Sequence, residues 1–157
     1  MLRILTIHDI HNLIGIARES PRKRKIFRLH EHYEPVQRMI NALVPGTYIM
    51  PHKHETPDKV ELFSILVGRC AVLRFADNGS IKEVVVLDEK GTNRIVDIAP
   101  RTYHSLIPLE PCAVLEIIQG PYDVLTHKQM APWAPAEDSP HADDYRMYLE
   151  SLVQKWR

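Results

Sequence analysis

Cysteine is scarce in this chain, with Cys70 and Cys112 the two present among 157 residues. They lie in unrelated segments without C-x-x-C spacing, so we expect small buried hydrophobic residues rather than a disulfide, which suits a reducing cytoplasm. No apolar run approaches the ~20 residues of a membrane span, and residues 1–9 lack a long uncharged apolar stretch. We therefore expect a cytoplasmic protein with no membrane partner.

Net charge is also lacking, because Lys plus Arg and Asp plus Glu number 20 each. This balance gives the whole chain no attraction to nucleic acid, and the basic run at 22–25 has no interleaved aromatic residues. A length of 157 residues is typical of one domain that buries a core without disulfide staples. We expect residues 1–157 to form a single domain with no nucleic acid partner.

Helices are predicted at the two ends of the chain. Thr6 and Asp9 resemble a capping box, and apolar residues then recur at helical spacing, which predicts a helix over 8–19. A second amphipathic helix is predicted over 143–157. Its apolar face consists of Tyr145, Tyr148, Leu149, Leu152 and Trp156. The proline-rich segment 120–141 precedes this helix and is expected to lie over the rest of the fold.

Residues 26–119 have the pattern of a β-protein, in which short strand-like runs are separated by turns about every 8–12 residues. Pro45-Gly46 and Asp77-Asn78-Gly79 are typical turn sequences, and no long helix is predicted between the strands. The pattern favours an all-β antiparallel sandwich or barrel over alternating strands and helices. The predicted strands are 37–44, 47–50, 61–67, 70–75, 81–87, 94–98, 103–107 and 113–118.

Three histidines and a glutamate have the spacing of a metal site whose ligands come from separate strands. His52 and His54 are two residues apart, so on a strand both side chains project from one face, ~6.6 Å apart along it. Glu61 begins an apolar strand, where an ionised carboxylate is costly to bury unless it is paired or bound to metal. With His104 as the completing ligand, the set predicts one divalent ion with one or two open positions, as in a catalytic site.

Several points stay open from these residues alone. Each histidine is also compatible with an ordinary hydrogen-bonded side chain, and Glu61 with the solvent end of its strand. Glu55 and Asp58, in the loop after His54, are alternative carboxylate ligands. Mixed nitrogen and oxygen ligands suit iron, manganese, zinc, nickel or cobalt without distinguishing among them.

The spacing of these residues resembles the first sequence motif of the cupin superfamily, G-x5-H-x-H-x3–4-E-x6-G. Gly46 stands in the first position, His52 and His54 form the H-x-H pair, and Glu61 is followed by Gly68 at the expected distance. The gap between His54 and Glu61 is longer than in the motif, which predicts that an insertion of two or three residues loops out. The resemblance implies a small jelly-roll β-barrel with a bound metal ion.

The segment before His104 resembles the second cupin motif, G-x5-P-x-G-x2-H-x3-N, less closely. Pro100 lies one place late, Arg101 stands where the glycine is expected, and Pro108 replaces the asparagine. These departures bear on the turn before His104, and the resemblance still implies that His104 is a metal ligand.

Short motifs across 20–135 extend the resemblance to the WbuC family of cupin-fold metalloproteins. They are Ser20-Pro-Arg22, Pro35-Val-Gln-Arg38, Pro45-Gly-Thr-Tyr48, Gly120-Pro-Tyr122 and Ala131-Pro-Trp-Ala-Pro135. The resemblance implies a metal-bound cupin, often encoded near bacterial surface-polysaccharide genes, and it implies no agreed reaction.

Basic and hydroxyl side chains are expected to bind the substrate. Arg22 and Arg24 belong to a dense basic run which, with Arg28, is expected to hold a phosphate or sugar-nucleotide pyrophosphate near the barrel mouth. A solvated basic stretch is the alternative. Arg38 and Tyr103 are the other expected substrate ligands, with the Tyr103 hydroxyl offered to a sugar.

Two side chains are expected to transfer protons. Glu116, in an apolar strand, is either a pocket acid or base or a residue on a wet outer face. Tyr48 and Met50 share strand parity with His52 and are expected to face the same interior, where the Tyr48 hydroxyl would be a second proton-transfer group. The other candidate lining or lid residues are Asn41, His127, Gln129 and Trp133. Phe63 is a further candidate for which packing in the core is the favoured interpretation.

The expected function is that of a metal-binding cupin acting on a small polar ligand, a sugar or nucleotide sugar, by isomerase- or epimerase-like Lewis-acid chemistry. A non-catalytic saccharide-binding or regulatory module, an Fe(II)-dependent dioxygenase, and an ion that only staples the barrel are the alternatives. Apolar residues on both faces of 84–87 predict a covered outer surface, by helices or by a partner subunit. A homodimer is expected, because cupins often pair in this way.

Overall fold

The computed structural model describes residues 2–155, in which the chain forms two helices and ten strands. Helix α1 spans Ile7–Glu19 and helix α2 spans Ala142–Gln154. Trp156, predicted on the apolar face of the second helix, lies outside the described residues. The strands are β1 (Arg24–Arg28), β2 (Val36–Leu43), β3 (His52–Lys53), β4 (Glu61–Val67), β5 (Arg69–Phe75), β6 (Ile81–Asp88), β7 (Ile95–Ile98), β8 (Tyr103–Pro108), β9 (Cys112–Gln119) and β10 (Gln129–Met130).

Within residues 2–155 the strands form two five-stranded sheets whose pairings are antiparallel. Sheet 1 has the order β1-β2-β9-β4-β7, and sheet 2 has the order β10-β3-β8-β5-β6. Apolar side chains of both sheets, among them Phe63 and Leu106, meet in one buried cluster. Cys70 and Cys112 lie in this cluster as free, buried side chains, as predicted. The prediction of an all-β antiparallel barrel with a helix near each end is confirmed.

Helix α1 covers the outer face of sheet 1 and begins where the sequence predicts a cap. The Thr6 backbone N–H donates to Asp9 Oδ2 at 2.8 Å, and Thr6 Oγ1 accepts the Asp9 backbone N–H at 3.3 Å. These two bonds satisfy donors that the first helical turn leaves free. The helix then buries Leu13, Ile14 and Ala17 against the sheet.

Helix α2 and the proline-rich segment cover the outer face of sheet 2. Leu149 and Val153 of the helix are buried against Leu73 of β5. Val84 and Val86, whose apolar character predicted a covered surface, pack against the same cluster. The chain's own helix therefore covers this surface, which removes the argument that these residues gave for a partner subunit there.

One segment departs from the predicted strands. Residues 47–50 form no strand, and they are followed by Pro51, which lacks the backbone N–H that a strand ladder requires. Ile49 packs in the core between the sheets, whereas Met50 packs on the outer face of sheet 2. The prediction that Met50 faces the same interior as His52 is therefore wrong, because the irregular backbone shifts the alternation by one residue.

Two short edge strands extend beyond the predicted β-region. β1 begins at Arg24, and β10 lies within the proline-rich segment, where Met130 pairs with His52 of β3. In the part of the chain that the structure describes, neither helix combines the length and apolar character needed to cross a membrane.

Candidate metal centre and cavity

Four buried side chains converge between the two sheets. His52 on β3 and His104 on β8 lie directly opposite each other in sheet 2, and His54 is the residue directly after β3. Glu61, the first residue of β4, comes from sheet 1. One ligand atom from each side chain lies within 4.8 Å of all the others, and each residue is at most 3% exposed. These four residues are called the His/Glu group below.

Backbone carbonyl groups orient all three imidazole rings. The bonds are His52 Nδ1 to Met50 O (2.9 Å), His104 Nδ1 to Thr102 O (2.9 Å) and His54 Nδ1 to His127 O. Because a carbonyl oxygen can only accept, each Nδ1 carries a proton, and each neutral ring keeps its lone pair on Nε2. This is the arrangement in which metal-binding histidines are commonly held by a second layer of hydrogen bonds.

The Nε2 atoms of two rings face the carboxylate of Glu61. Glu61 Oε2 lies 3.2 Å from His54 Nε2 and 2.8 Å from His104 Nε2. The buried His104 Nε2 has no aligned hydrogen-bond partner within residues 2–155. Lone pairs of neutral imidazoles and an ionised carboxylate repel one another unless a proton or a cation lies between them. The residues therefore fit a divalent metal ion.

Burial and neighbouring charges shift the pKa values within the His/Glu group. Burial, followed by the charges of Lys128 and His104, holds the pKa of His52 well below its ordinary value. Burial alone would raise the pKa of Glu61, but His104 and His54 hold it well below its ordinary value. A neutral imidazole and an ionised carboxylate are the forms that bind metal.

The long gap in the first motif forms a turn that keeps other carboxylates away from the group. A bridge between Glu55 and Asp58 closes this turn. Asp58 Oδ1 accepts from Arg101 Nε at 2.9 Å, and Glu55 pairs with Lys53 at 2.7 Å. Glu61 is therefore the carboxylate of the buried group, and the alternatives Glu55 and Asp58 lie outside it.

The second motif keeps its turn without its glycine. Arg101 has a φ of 63°, in the left-handed region that favours glycine. Its backbone N–H donates to His54 O at 3.0 Å, and its guanidinium pairs with Asp58, so the turn is tied to the segment after β3. Gly68 of the first motif has a φ of 76°, and a Cβ there would lie 2.3 Å from Pro111 O. Position 68 therefore requires glycine.

A cavity of about 380 Å³ adjoins the His/Glu group. His52 and Glu61 line it, so an ion held by the group is accessible from the cavity. Asn41 and Glu116, two of the candidates from the sequence, line its wall, and Phe63 lines it while also packing in the core. Its exposed lining residues include Ile26, Arg28, Val124, Lys128 and Met130, which we call the cavity mouth.

Glu116 is a second carboxylate beside the His/Glu group. It pairs with Phe63 across β9 and β4, and Asn41 Nδ2 donates to its Oε2. Burial and the negative charge of Glu61 raise the pKa of Glu116 to about 8. Around neutral pH this side chain is therefore mainly a protonated acid on the cavity wall, not an ionised residue on the outer face.

Comparison with known proteins places the chain in a family. A family model described as "Domain of unknown function (DUF6016)" matches residues 5–87, which is more than half of the 157 residues. The chain belongs to the DUF6016 family. A search of curated proteins found no match for this DUF6016 member.

Solved structures show that the DUF6016 chain has a cupin fold. A double-stranded β-helix protein from Klebsiella pneumoniae aligns with a TM-score of 0.58 and 16% identity, over 83% of this chain and 98% of its own. A cupin 2 domain-containing protein from Halorhodospira halophila aligns with a TM-score of 0.53 and 19% identity, over 84% of this chain and 81% of its own. A structure of the DMSP lyases RdDddP and RnDddQII aligns with a TM-score of 0.51 and 16% identity, over 69% of this chain and 52% of its own. These identities establish the fold alone, and membership in the WbuC family stays a prediction.

Three predicted site residues of the DUF6016 chain do not line the cavity. The Tyr48 hydroxyl donates to Pro135 O at 2.7 Å on the outer face of sheet 2, where burial raises its pKa. Arg38 forms an ion pair with Glu34 at the surface. Tyr103 is buried beneath the proline-rich segment. Their roles in proton transfer and substrate binding stay predictions that these positions do not support.

The other predicted residues divide between the cavity and the outer face. His127 lines the cavity, and burial, followed by the charge of Lys128, lowers its pKa to about 3. Trp133 instead packs edge-on to Tyr103 on the outer face, with ring centroids 5.8 Å apart. Gln129, in the edge strand β10, is exposed and does not line the described cavity.

Arg22 and Arg24 line the cavity, but a residue that sequence reasoning missed already binds them. Glu137 Oε2 accepts from Arg22 Nη2 at 2.5 Å and from Arg24 Nη2 at 2.6 Å. Glu137 follows its partners by more than 110 residues in the proline-rich segment, so no local pattern could indicate this contact. Lys128 was missed as well, since a lone lysine before a two-residue strand carries no sequence signal.

Proposed function

We propose that this chain is a metal-dependent cupin that acts on a small polar ligand, a sugar or nucleotide sugar, in the cavity beside His52 and Glu61. The observation that carries the proposal is the orientation of the three histidines. Each Nδ1 is bonded to a carbonyl, so each Nε2 lone pair is free to converge with Glu61 on a cation. An ion that only stapled the barrel would not require a cavity of about 380 Å³ that reaches two of its ligands.

The His/Glu group would hold one divalent ion. Three imidazoles and one carboxylate leave one or two coordination positions for a ligand. The mixed nitrogen and oxygen donors are compatible with iron, manganese, zinc, nickel or cobalt. A bound ion supplies Lewis-acid activation of a carbonyl group or of neighbouring hydroxyl groups.

Glu116 is the proposed acid–base group. It lines the same cavity as Glu61, and its pKa of about 8 gives it a proton to donate near neutral pH. A carboxyl group that donates a proton to one ligand atom and takes one back from another is the equipment that isomerisation or epimerisation needs.

The cavity mouth supports a saccharide as the ligand. Ile26, Val124 and Met130 expose apolar side chains there, at 39%, 75% and 47% exposure. A sugar ring has an apolar C–H face and polar hydroxyl edges, which match an apolar mouth above the polar side chains of Asn41 and Glu116. Apolar contact surface together with a few placed polar groups that fix the orientation of the ligand is common in small-molecule sites.

Metal content measured by plasma mass spectrometry tests the proposal. Tag-free wild-type protein purified without added metal is expected to hold a near-stoichiometric ion, and the His52→Ala/His104→Ala variant little. His8→Ala/His11→Ala is the matched control, because it removes two exposed histidines from α1 and should retain wild-type metal. Equally low metal in all three proteins, even after reloading, would refute the metal centre.

The variant Glu116→Gln separates an enzyme from a binding module. In an enzyme it should abolish turnover while the metal content stays unchanged. In a saccharide-binding or regulatory module it should alter affinity at most, and the wild type should form no product. Iron as the bound element, with ligand-dependent consumption of oxygen, would support the dioxygenase alternative instead.

The proposal includes three broader expectations. We propose membership in the WbuC family, with a link to surface-polysaccharide metabolism, on the motifs that span 20–135. We propose a cytoplasmic location, which the two free buried cysteines support. We propose a homodimer, which light scattering coupled to size-exclusion chromatography tests directly.

A further inference from the structure

The cavity wall carries a local positive charge in a chain whose formal net charge is zero. Its basic side chains are Arg22, Arg24, Arg28 and Lys128. One carboxylate, that of Glu137, is bound by both Arg22 and Arg24 and offsets part of their charge. Within residues 2–155, by contrast, neither Arg28 nor Lys128 forms an ion pair. Two uncompensated cations therefore remain at the cavity mouth.

Arg28 and Lys128 come from the edges of different sheets. β1 is the edge strand of sheet 1, and its alternation directs Ile26 and Arg28 to the cavity. Lys128 directly precedes β10, the edge strand of sheet 2, whose Met130 pairs with His52. A ligand that enters between these edges meets both cations before it reaches the metal ligands.

We infer that the ligand carries an oxyanion group, a carboxylate or a phosphate, which Arg28 and Lys128 bind at the cavity mouth while its polar end reaches the His/Glu group. The inference rests on the proposed function and names the chemical class of its ligand. A guanidinium group binds two oxyanion oxygens side by side, and an ammonium group adds a point charge to one of these oxygens or to a third oxygen of a phosphate. An anion at Arg22 and Arg24 would instead have to displace Glu137.

Equilibrium binding of inorganic phosphate and of glucuronate, measured by calorimetry on protein of known metal content, tests the inference. At least one of the two anions is expected to bind the wild type with millimolar or tighter affinity, and glucose more weakly than that anion. The Arg28→Gln and Lys128→Gln variants should each lose about tenfold in affinity for the anion that binds, because each removes one charge-assisted contact. Binding of phosphate but not glucuronate would indicate a phosphate group on the ligand, and binding of glucuronate but not phosphate a carboxylate.

Three variants provide controls. Lys25→Gln removes a charge from the same strand at a position that does not line the cavity, and Lys82→Gln removes an exposed charge from β6. Arg22→Gln tests the paired arginine, whose side chain is 66% exposed and whose guanidinium group is bound by Glu137. All three should bind the anions within about twofold of the wild type.

The outcomes separate this inference from the proposed function. Wild-type protein that holds metal but binds neither anion up to about 20 mM overturns the inference and leaves the metal centre standing. Anion binding that is lost in His52→Ala/His104→Ala but unchanged in Arg28→Gln and Lys128→Gln also overturns it, because the anion would then sit on the metal. Anion binding that depends on Arg28 and Lys128 in protein without metal supports the inference while the proposed function fails.

Discussion

Replacing Glu61 with glutamine is expected to destabilise the metal-bound protein more than the metal-free protein. In the metal-free protein Glu61 is 2% exposed, and its carboxylate faces Nε2 atoms of two histidines. His104 and His54 hold the pKa of Glu61 well below its ordinary value, so folding favours the ionised form and its removal costs stability. Breaking a buried ion pair typically costs about 3–5 kcal/mol, but the amide avoids the burial of a charge and can donate to one imidazole. We therefore expect a smaller loss of about 1 kcal/mol in the free energy of unfolding.

In the metal-bound protein the same change removes a ligand. Loss of a residue that merely orients a ligand weakens metal binding by about 10–100-fold, so loss of Glu61 itself should cost at least about a hundredfold. At saturating metal this corresponds to about 2.7 kcal/mol of lost stabilisation. Together with the loss of about 1 kcal/mol expected without metal, the metal-bound variant should be about 4 kcal/mol less stable than the wild type. For a domain of this size the melting temperature should then fall by about 8–16 °C with metal and by about 2–4 °C without it.

Thermal unfolding of both proteins with a chelator, and again with a fixed excess of the native metal, measures the two effects. Glu83→Gln is the matched control, because Glu83 is an exposed glutamate that pairs with Arg74 on the outside of sheet 2. It should change stability little in either condition. A Glu61→Gln variant destabilised equally with and without metal would refute the reasoning and give Glu61 a structural role only.

Three further predictions concern the turn, the cavity wall and the helix. Arg101→Gly should be about 1 kcal/mol more stable than Arg101→Ala in urea unfolding, because both lose the contact with Asp58 and only glycine relieves the left-handed backbone; equal stabilities would contradict this. The pKa of Glu116 is raised from 4.5 to about 8 on folding. In metal-free protein its contribution to the free energy of unfolding is therefore fully present below pH 4.5 and is lost as the pH rises to about 8. Stability measured against pH should therefore fall by up to about 1.4 kcal/mol per pH unit more in the wild type than in Glu116→Gln, and parallel profiles would exclude the raised pKa. Leu149→Ala should cost about 2–5 kcal/mol, whereas Met147→Ala on the exposed side of α2 should cost about 0.5 kcal/mol or less; equal costs would mean that α2 does not cover sheet 2 as described.

The residues of the His/Glu group could be recognised in the sequence because their spacing is local and periodic. His52 and His54 are two residues apart, and Glu61 stands out in an apolar strand. Antiparallel pairing then requires only that β3 and β8 be neighbours for His52 and His104 to meet. Each step follows from alternation along a strand and from the cost of burying a charge.

The cavity mouth could not be predicted in the same way, because its contacts join distant segments. Glu137 meets Arg22 and Arg24 across more than 110 residues, and the carbonyl that orients His54 belongs to His127. Contacts of this kind depend on how the proline-rich segment lies over the barrel, which side-chain chemistry alone does not determine. The basic run therefore predicts an anion site, but the sequence could not indicate which of the cations near the cavity lack an ion pair.

The shift in alternation before His52 explains how one sheet serves both the cavity and the covered outer face. His52 must point inward to reach the metal ligands, while Met50 packs outward beneath α2. On a regular strand these two residues would share a face, and one of the two contacts would be lost. Pro51 breaks the ladder between them, and Ser105 Oγ donates to Ile49 O at 2.6 Å, which satisfies a carbonyl outside the strands. The break at Pro51 therefore allows a metal ligand to point inward two residues after an outward-packed residue.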